Sequence, residues 1–145
     1  SQAALPFLKK SSNAHILSLS PPINLNPKWL TVFAPYTLSK YGMTLLSIGM
    51  AQEFKGYNIC VNTLWPETYI ATAAVTNNIA NEEAVDICRK PEIMADAAYA
   101  IISHRETGQH YLDEGVLRAY GVTDFASYAC NPATIDSIQR DFFLD

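Results

Sequence analysis

A long helix-forming segment followed directly by an apolar strand segment is the feature that most constrains the fold of this chain. Residues 36–54 carry apolar side chains around most of the helix circumference; Pro35 suits the entry of a helix and Gly56 its end. Residues 57–65 are β-rich and apolar, as in a strand buried on both faces, and Pro66 ends the segment. A helix covered on more than one side beside such a strand predicts a layered α/β domain.

Further predicted elements continue this alternation along the chain. We predict strands at residues 15–20 and 110–113, and a second helix with an apolar side at residues 91–102. The remaining predictions are the end of a helix at 2–10, a loop at 21–35, an irregular or partly helical stretch at 67–80 and a helix N-terminus at 81–83. Strand, helix, strand, helix, strand is the order of a parallel α/β layer.

Composition excludes several classes of protein. The chain has 145 residues, of which 49% are hydrophobic and 17% charged, as expected for one folded domain with a core. Its formal net charge is −4 and no basic stripe is present, so the sequence argues against a nucleic-acid partner. No apolar run reaches the roughly 20 residues that span a bilayer, and residues 1–6 lack the pattern of a signal peptide. We therefore expect an intracellular protein without a membrane span.

Cysteines, histidines and acidic residues show no metal-ligand spacing. The three cysteines and three histidines are scattered, without C-x-x-C, at Cys60, Cys88, Cys130, His15, His104 and His110. The expectation is therefore reduced thiols, structural or surface imidazoles and no bound metal. The acidic pair Glu82-Glu83 after Asn81 fits a helix N-terminus, with acid/base catalysis as the alternative.

Tyr36 and Lys40 form the pair with the clearest chemistry. Four residues apart on a helix, their side chains share one face. A phenol has a pKa of about 10, and a neighbouring ammonium favours the phenolate, which brings the group towards the range useful for proton transfer. The alternative is an ordinary helix with a half-buried Tyr and a Lys whose stem lies along apolar surface. A Ser-bearing strand before the pair and a strand ending at Pro66 after it favour the catalytic interpretation.

The order of these motifs resembles that of the short-chain dehydrogenase/reductase family. The segments that carry the resemblance are His15-Ile-Leu-Ser-Leu-Ser20, Tyr36-x-x-x-Lys40, Val61-Asn62-x-x-x-Pro66, residues 90–97 and residues 107–113. The resemblance to the family as a whole covers about residues 1–115. The resemblance to one of its members extends over nearly the whole chain. The implied fold is the C-terminal half of a Rossmann-like, doubly wound parallel sheet, with residues 1–145 as a single partial domain.

The resemblance implies roles for five residues in the interconversion of a carbonyl and a secondary alcohol with NADP or NAD. Tyr36 is the implied general acid/base, and Lys40 is implied to bind the nicotinamide ribose and lower the pKa of Tyr36. Ser20 is implied to hold the substrate oxygen, with a strand-end Ser that only bonds backbone as the alternative. Pro66 and the loop as far as Thr72 are implied to flank the nicotinamide and its pyrophosphate. The hydride belongs to the cofactor.

Three departures from the family pattern bear on these roles. Ser20 stands one residue before the usual position of the catalytic Ser, where this chain has Pro21. Glu67 replaces the usual Gly after Pro66, which puts a carboxylate near the expected path of the cofactor phosphates. None of the six glycines forms the glycine-rich fingerprint that lets a backbone approach a pyrophosphate. The adenine and phosphate half of the family fold is therefore expected to lie outside this sequence.

The expected function is that of an NAD(P)-dependent oxidoreductase acting on a small carbonyl or alcohol, lipid- or steroid-like, located by resemblance alone in peroxisomes or mitochondria. The alternative is a non-catalytic, truncated relative that serves as a binding or dimerisation module. This chain alone is expected to be inactive, since it lacks the glycine-rich half. Because half of a parallel sheet leaves an apolar edge open, the chain is also expected to be unstable unless it associates. The helix at 36–54 is the expected contact of a homo-oligomer. Trp65 is assigned either to the core or to a substrate pocket, and Phe142-Phe143 either to the domain or to a partner contact.

Overall fold

The computed structural model describes residues 1–31, 33–78 and 85–145 of the chain. These residues form two compact units, which are described separately: Ser1–Trp65 with Ile101–Tyr111, and Pro66–Ala100 with Leu112–Asp145. The α-helices are α1 Leu5–Leu8, α2 Lys28–Thr31, α3 Ala34–Glu53, α4 Ala73–Asn78, α5 Glu92–Ile102 and α6 Asp113–Ala119. The strands are β1 His15–Leu19, β2 Cys60–Trp65 and β3 His110–Leu112, and 3-10 turns occupy Gln2–Ala4, Lys55–Tyr57, Ala126–Tyr128 and Pro132–Ser137.

A three-stranded parallel sheet forms the centre of the first unit. The strand order is β1-β2-β3, and β1 pairs with β2 in parallel from His15 opposite Cys60 to Leu19 opposite Leu64. Every residue of β2 is buried, as expected for the central strand of a covered sheet. The core beside it joins Ala14, Ala51, Phe54, Ile59 and Val61. The predicted α/β class is confirmed.

Helix α3 packs through small and polar residues rather than through its leucines. Its buried positions are Thr37, Tyr41, Thr44, Ser47 and Ala51, which recur every three or four residues. Large apolar side chains lie on the exposed side, where Leu38, Leu45 and Leu46 are 75%, 60% and 67% exposed. The helix begins at Ala34, two residues before the predicted start, because Pro35 is accommodated within its first turn.

Several predicted boundaries differ from the structure for local reasons. The predicted loop at 21–35 contains α2, and the strand predicted from residue 57 begins only at Cys60. Asn58 adopts a left-handed conformation with φ of 58°, which ends the preceding turn and delays the strand. Asp113, predicted in the last strand, is instead the first residue of α6. The helix N-terminus predicted at 81–83 lies outside the described residues.

Short backbone pairings around residues 67–71 organise the second unit. Ile70 pairs in parallel with Arg89, Arg89 pairs antiparallel with Ala129, and Thr68 pairs antiparallel with Arg140. The chain segment at Arg89 therefore lies between two others. In the part of the chain that the structure describes, no helix is long and apolar enough to cross a membrane.

Candidate active site

Lys40 is held by groups at the carboxyl ends of two neighbouring strands. Its Nζ donates a hydrogen bond to the backbone oxygen of Leu19, the last residue of β1, at 3.1 Å. The same ammonium lies 5.3 Å from the ring centroid of Trp65, the last residue of β2, and 5.9 Å from that of Tyr36. Both distances are within the range of cation–π attraction. The carboxyl edge of a parallel sheet is where ligands bind in open α/β folds.

Tyr36 presents its ring to solvent at the start of α3. Its side chain is 42% exposed, one helical turn before Lys40, so a ligand can reach it. The Ser39 hydroxyl donates to the backbone oxygen of Tyr36 at 3.0 Å, which fixes this first turn. An accessible phenol beside a fixed ammonium is an arrangement able to exchange a proton with a bound oxygen.

Ser20, directly after β1, has a fully buried hydroxyl. The residue is 0% exposed, and its Oγ has no hydrogen-bond partner among the described residues. Its backbone N–H donates to the oxygen of Ser18 at 3.0 Å, while the side chain bonds no described backbone atom. A buried hydroxyl without a partner is costly, and such a group calls for a water or a ligand. The structure therefore places the Lys40 ammonium at Leu19, the residue before Ser20. The Ser20 hydroxyl forms no hydrogen bond to Tyr36 or Lys40.

The loop after β1 is fixed on α3 by three side chains of the buried helix face. Thr37 donates to the backbone oxygen of Trp29 at 2.6 Å, and Thr44 to that of Pro21 at 2.7 Å. The Tyr41 hydroxyl bonds both backbone groups of Asn24. Sequence reasoning missed this role. Its only signal is the spacing of the three polar residues, which places them on one face of an otherwise apolar helix.

Pro66 and Thr72 belong to the second unit, where they bound a short extended segment. Pro66 is partly buried, and Thr72 is exposed immediately before α4. The N–H of Thr72 donates to the oxygen of Ile70 at 2.7 Å, which closes a tight turn at the end of the segment. The proposed cofactor loop is therefore ordered by its own backbone.

Glu67 is engaged at its backbone and at its carboxylate. Its N–H donates to Asp113 Oδ1 at 2.8 Å, and its backbone oxygen accepts from the N–H of Asp141 at 3.1 Å. Its carboxylate pairs with Arg140 at 3.6 Å, both side chains being partly exposed. Arg140 therefore partly neutralises the Glu67 carboxylate, which was predicted from the sequence to lie near the cofactor phosphates.

A buried ionic cluster lies beside this segment. Arg89 and Glu114 form an ion pair of 2.5 Å with both side chains 9% exposed, and Arg118 reaches the other Glu114 oxygen at 3.0 Å. Burial, reinforced by the charges of Glu114 and Glu67, raises the pKa of the adjacent Asp113 to about 6, although two backbone N–H groups oppose the rise. Since these charges bond to one another and to backbone, we assign them a structural role.

The sequence and structure of the chain were compared with those of known proteins. No protein-family profile matches it. Hydroxysteroid dehydrogenase-like protein 2 of Danio rerio is 49% identical over 147 residues, covering 100% of this chain and 34% of that protein. A solved short-chain dehydrogenase from Mycobacterium thermoresistibile is 46% identical, with a TM-score of 0.88 over 99% of this chain and 51% of that one. This chain is similar in sequence and fold to part of the short-chain dehydrogenases. The resemblance predicted from its motifs is confirmed.

The relationship covers only part of these longer dehydrogenases. The chain spans about a third of the curated relative and about half of the solved one, at 34% and 51%. A 4-hydroxyisoleucine dehydrogenase solved with NADH is 21% identical with a TM-score of 0.59, which shows a shared fold. The activity, substrate and cofactor choice of the whole protein are therefore proposals for this chain.

Proposed function

We propose that the chain supplies the catalytic and nicotinamide-binding half of an oxidoreductase that interconverts a carbonyl and a secondary alcohol with NADP or NAD. The observation that carries the proposal is the Lys40 ammonium, held by the Leu19 carbonyl within 5.9 Å of the exposed Tyr36 ring. Tyr36 then donates a proton to the carbonyl oxygen in reduction and accepts it back in oxidation. The bound cofactor supplies or takes up the hydride.

The other predicted residues have supporting positions in this proposal. Lys40, whose ammonium is held at the carboxyl end of β1 by the Leu19 carbonyl, would bond the nicotinamide ribose hydroxyls. Ser20 has a buried, unpartnered hydroxyl that would bond the substrate oxygen. Pro66 and Thr72 would flank the nicotinamide and its pyrophosphate, a role that rests on the resemblance of the motifs.

The residues fit the nicotinamide end of a dinucleotide and not its adenine end. A pyrophosphate needs a close backbone approach after a first strand, and this chain has no such glycine-rich turn. Gly108 and Gly121, with φ of 77° and 91°, follow α5 and α6 rather than a strand. The glycine-rich turn that approaches the pyrophosphate, and the adenine site, would therefore belong to a preceding half of the fold in a longer polypeptide.

The substrate is proposed to be apolar around its reacting carbon. Leu19, whose carbonyl holds the Lys40 ammonium, is 51% exposed and offers no charge to a ligand, whereas Trp65 is 6% exposed and belongs to the core. The name of the Danio rerio relative agrees with a lipid- or steroid-like alcohol. A location inside the cell, in peroxisomes or mitochondria, stays a prediction that immunolocalisation of the natural protein tests.

Titration with NADPH and NADH, followed by fluorescence, tests the cofactor site in a polypeptide that joins this chain to the preceding half of the fold. Lys40→Met is expected to raise the Kd about tenfold or more, because a charge-assisted hydrogen bond is worth roughly 1.5–3 kcal/mol. Lys10→Met, which removes an exposed lysine distant in sequence, is the matched control and should leave the Kd unchanged. A joined polypeptide that melts cooperatively but binds neither nucleotide would contradict the proposal and favour a non-catalytic module.

The exposed face of α3 favours a second role, association with another copy of the chain. Leu38 and Leu45 alternate along this face with Gly42 and Gly49, beside which the space is open. Such spacing lets two helices approach closely about a two-fold axis. Leu45→Glu is expected to shift the sedimentation coefficient from dimer to monomer, whereas Leu25→Glu, also exposed, should not. A monomeric parent chain would contradict the association.

A further inference from the structure

Cys88 and Cys130 stand directly opposite each other across a backbone bridge of the second unit. Arg89 pairs antiparallel with Ala129; the flanking bonds run from the N–H of Lys90 to the oxygen of Tyr128 at 2.7 Å and from the N–H of Cys130 to the oxygen of Cys88 at 3.1 Å. Residues one step either side of an antiparallel pair are themselves opposite, and opposed side chains point to the same face. The two thiols therefore share a face of this bridge.

This register suits a disulfide. Opposed residues whose backbones are hydrogen-bonded have Cα atoms about 5.5 Å apart, within the roughly 4.4–6.8 Å that disulfides span. Their Cβ atoms are typically about 4.5–5.5 Å apart, so an approach of about 1 Å forms the bond. Cys60, in contrast, is buried in β2 of the first unit, where no second cysteine faces it within the described residues.

We propose that Cys88 and Cys130 form a reversible intramolecular disulfide when the protein meets a peroxide. Cys130 is partly exposed and reacts first: its thiolate attacks a peroxide oxygen, the O–O bond breaks, and hydroxide leaves. The buried Cys88 thiolate then attacks the Cys130 sulfur; the S–S bond forms, the S–O bond breaks, and the oxygen leaves as water. Two thiols lose two electrons and two protons, and one peroxide becomes two waters.

The surroundings make this pair slow to oxidise and hard to reduce. Burial raises the pKa of Cys88 to about 11, with further rises from Cys130 and Asp141. Burial also raises the pKa of Cys130, where Lys90 lowers it and Glu92 and Asp86 raise it. The thiolate fraction near neutral pH is therefore small and grows as pH rises. Because the reduced form gains nothing from thiolate stabilisation, the disulfide is not a strongly oxidising one.

The disulfide would lock the segment that carries Arg89. The Arg89 N–H donates to the oxygen of Tyr69 at 2.8 Å, and its backbone oxygen accepts from the N–H of Ala71 at 2.9 Å. These bonds hold the segment that ends at Thr72. Arg89, which bonds Tyr69 and Ala71, is the residue next to Cys88, so a covalent link at Cys88 restrains the loop assigned to the cofactor. Oxidation is therefore expected to slow proteolysis at residues 69–72.

Non-reducing peptide mapping after hydrogen peroxide treatment and alkylation tests the pair. We expect a Cys88–Cys130 linked peptide with a mass loss of two hydrogens, reversed by dithiothreitol and formed faster at pH 9 than at pH 7. Cys60→Ser should leave it unchanged, and Cys130→Ser should abolish it. If Cys130→Ser fails to fold, Cys130→Ala is used instead, and the unmutated protein should contain one Cys88–Cys130 linked peptide per chain. Over-oxidised Cys130 with Cys88 still free, or links formed equally with Cys60, would overturn the proposal.

Discussion

Tyr36→Phe is expected to lower turnover of a carbonyl or alcohol substrate by about 10²–10⁴-fold in a polypeptide that joins this chain to the preceding half of the fold. The substitution removes one oxygen and keeps the ring, which is already 42% exposed and packs near the Lys40 ammonium. Without the phenol, the alkoxide that forms on hydride transfer has no positioned proton donor. NAD(P)H affinity should change little, because Lys40 keeps its bond to Leu19.

The measurements are steady-state turnover and the nucleotide Kd. If the natural preceding half is not at hand, the N-terminal half of the Mycobacterium thermoresistibile dehydrogenase can be joined to this chain instead. Tyr57→Phe is the matched control: it removes a phenolic oxygen from another tyrosine that is 50% exposed and lies under Lys9. It should leave both quantities at the parent value. Full turnover by Tyr36→Phe would remove Tyr36 from its assigned role. An unchanged nucleotide Kd separates a loss of turnover from a folding defect.

The main elements of the fold could be predicted because their signals are local. Apolar periodicity predicted α3 and α5, and β-rich apolar runs predicted β1 and β2, all confirmed to within a few residues. The start of β2 could not be predicted, because it depends on the left-handed Asn58. Which face of α3 is buried also escaped prediction. Its hydrogen bonds to Pro21, Asn24 and Trp29 depend on where a distant loop returns.

The candidate site could likewise be predicted only where its signals are local in sequence. Spacing along one helix predicted that Tyr36 and Lys40 are neighbours, and they are. The carbonyl of Leu19 and the ring of Trp65, which fix the ammonium, come from two strands and carry no local signal. The facing cysteines are likewise distant in sequence, and their scattered positions argued only for separate thiols. The predicted roles of Tyr36, Lys40, Ser20, Pro66 and Thr72 stay predictions.

Arg89→Met is expected to lower the free energy of unfolding by about 3–5 kcal/mol at pH 7, the usual effect of removing one partner of a buried ion pair. Arg89 contacts the Glu114 carboxylate at 2.5 Å and the Phe125 backbone oxygen at 2.9 Å, and methionine replaces neither bond. The remaining cation, Arg118, has a side chain 58% exposed and only partly compensates. Arg140→Met, in a more exposed pair with Glu67, is the control and should cost about 1 kcal/mol or less.

The pH dependence of this loss identifies its electrostatic origin. Without Arg89, the buried Glu114 carboxylate beside Asp113 loses its buried counter-charge, so its negative charge costs more free energy in the folded state than in the unfolded one. Protonation of carboxylates at acid pH removes such a cost, so the loss of stability should shrink as pH falls. Asp113, with a pKa of about 6, titrates in both proteins and largely cancels in their difference. Urea unfolding at pH 7 and pH 4.5 should therefore show a smaller difference at the acid pH; a constant one would indicate lost packing instead.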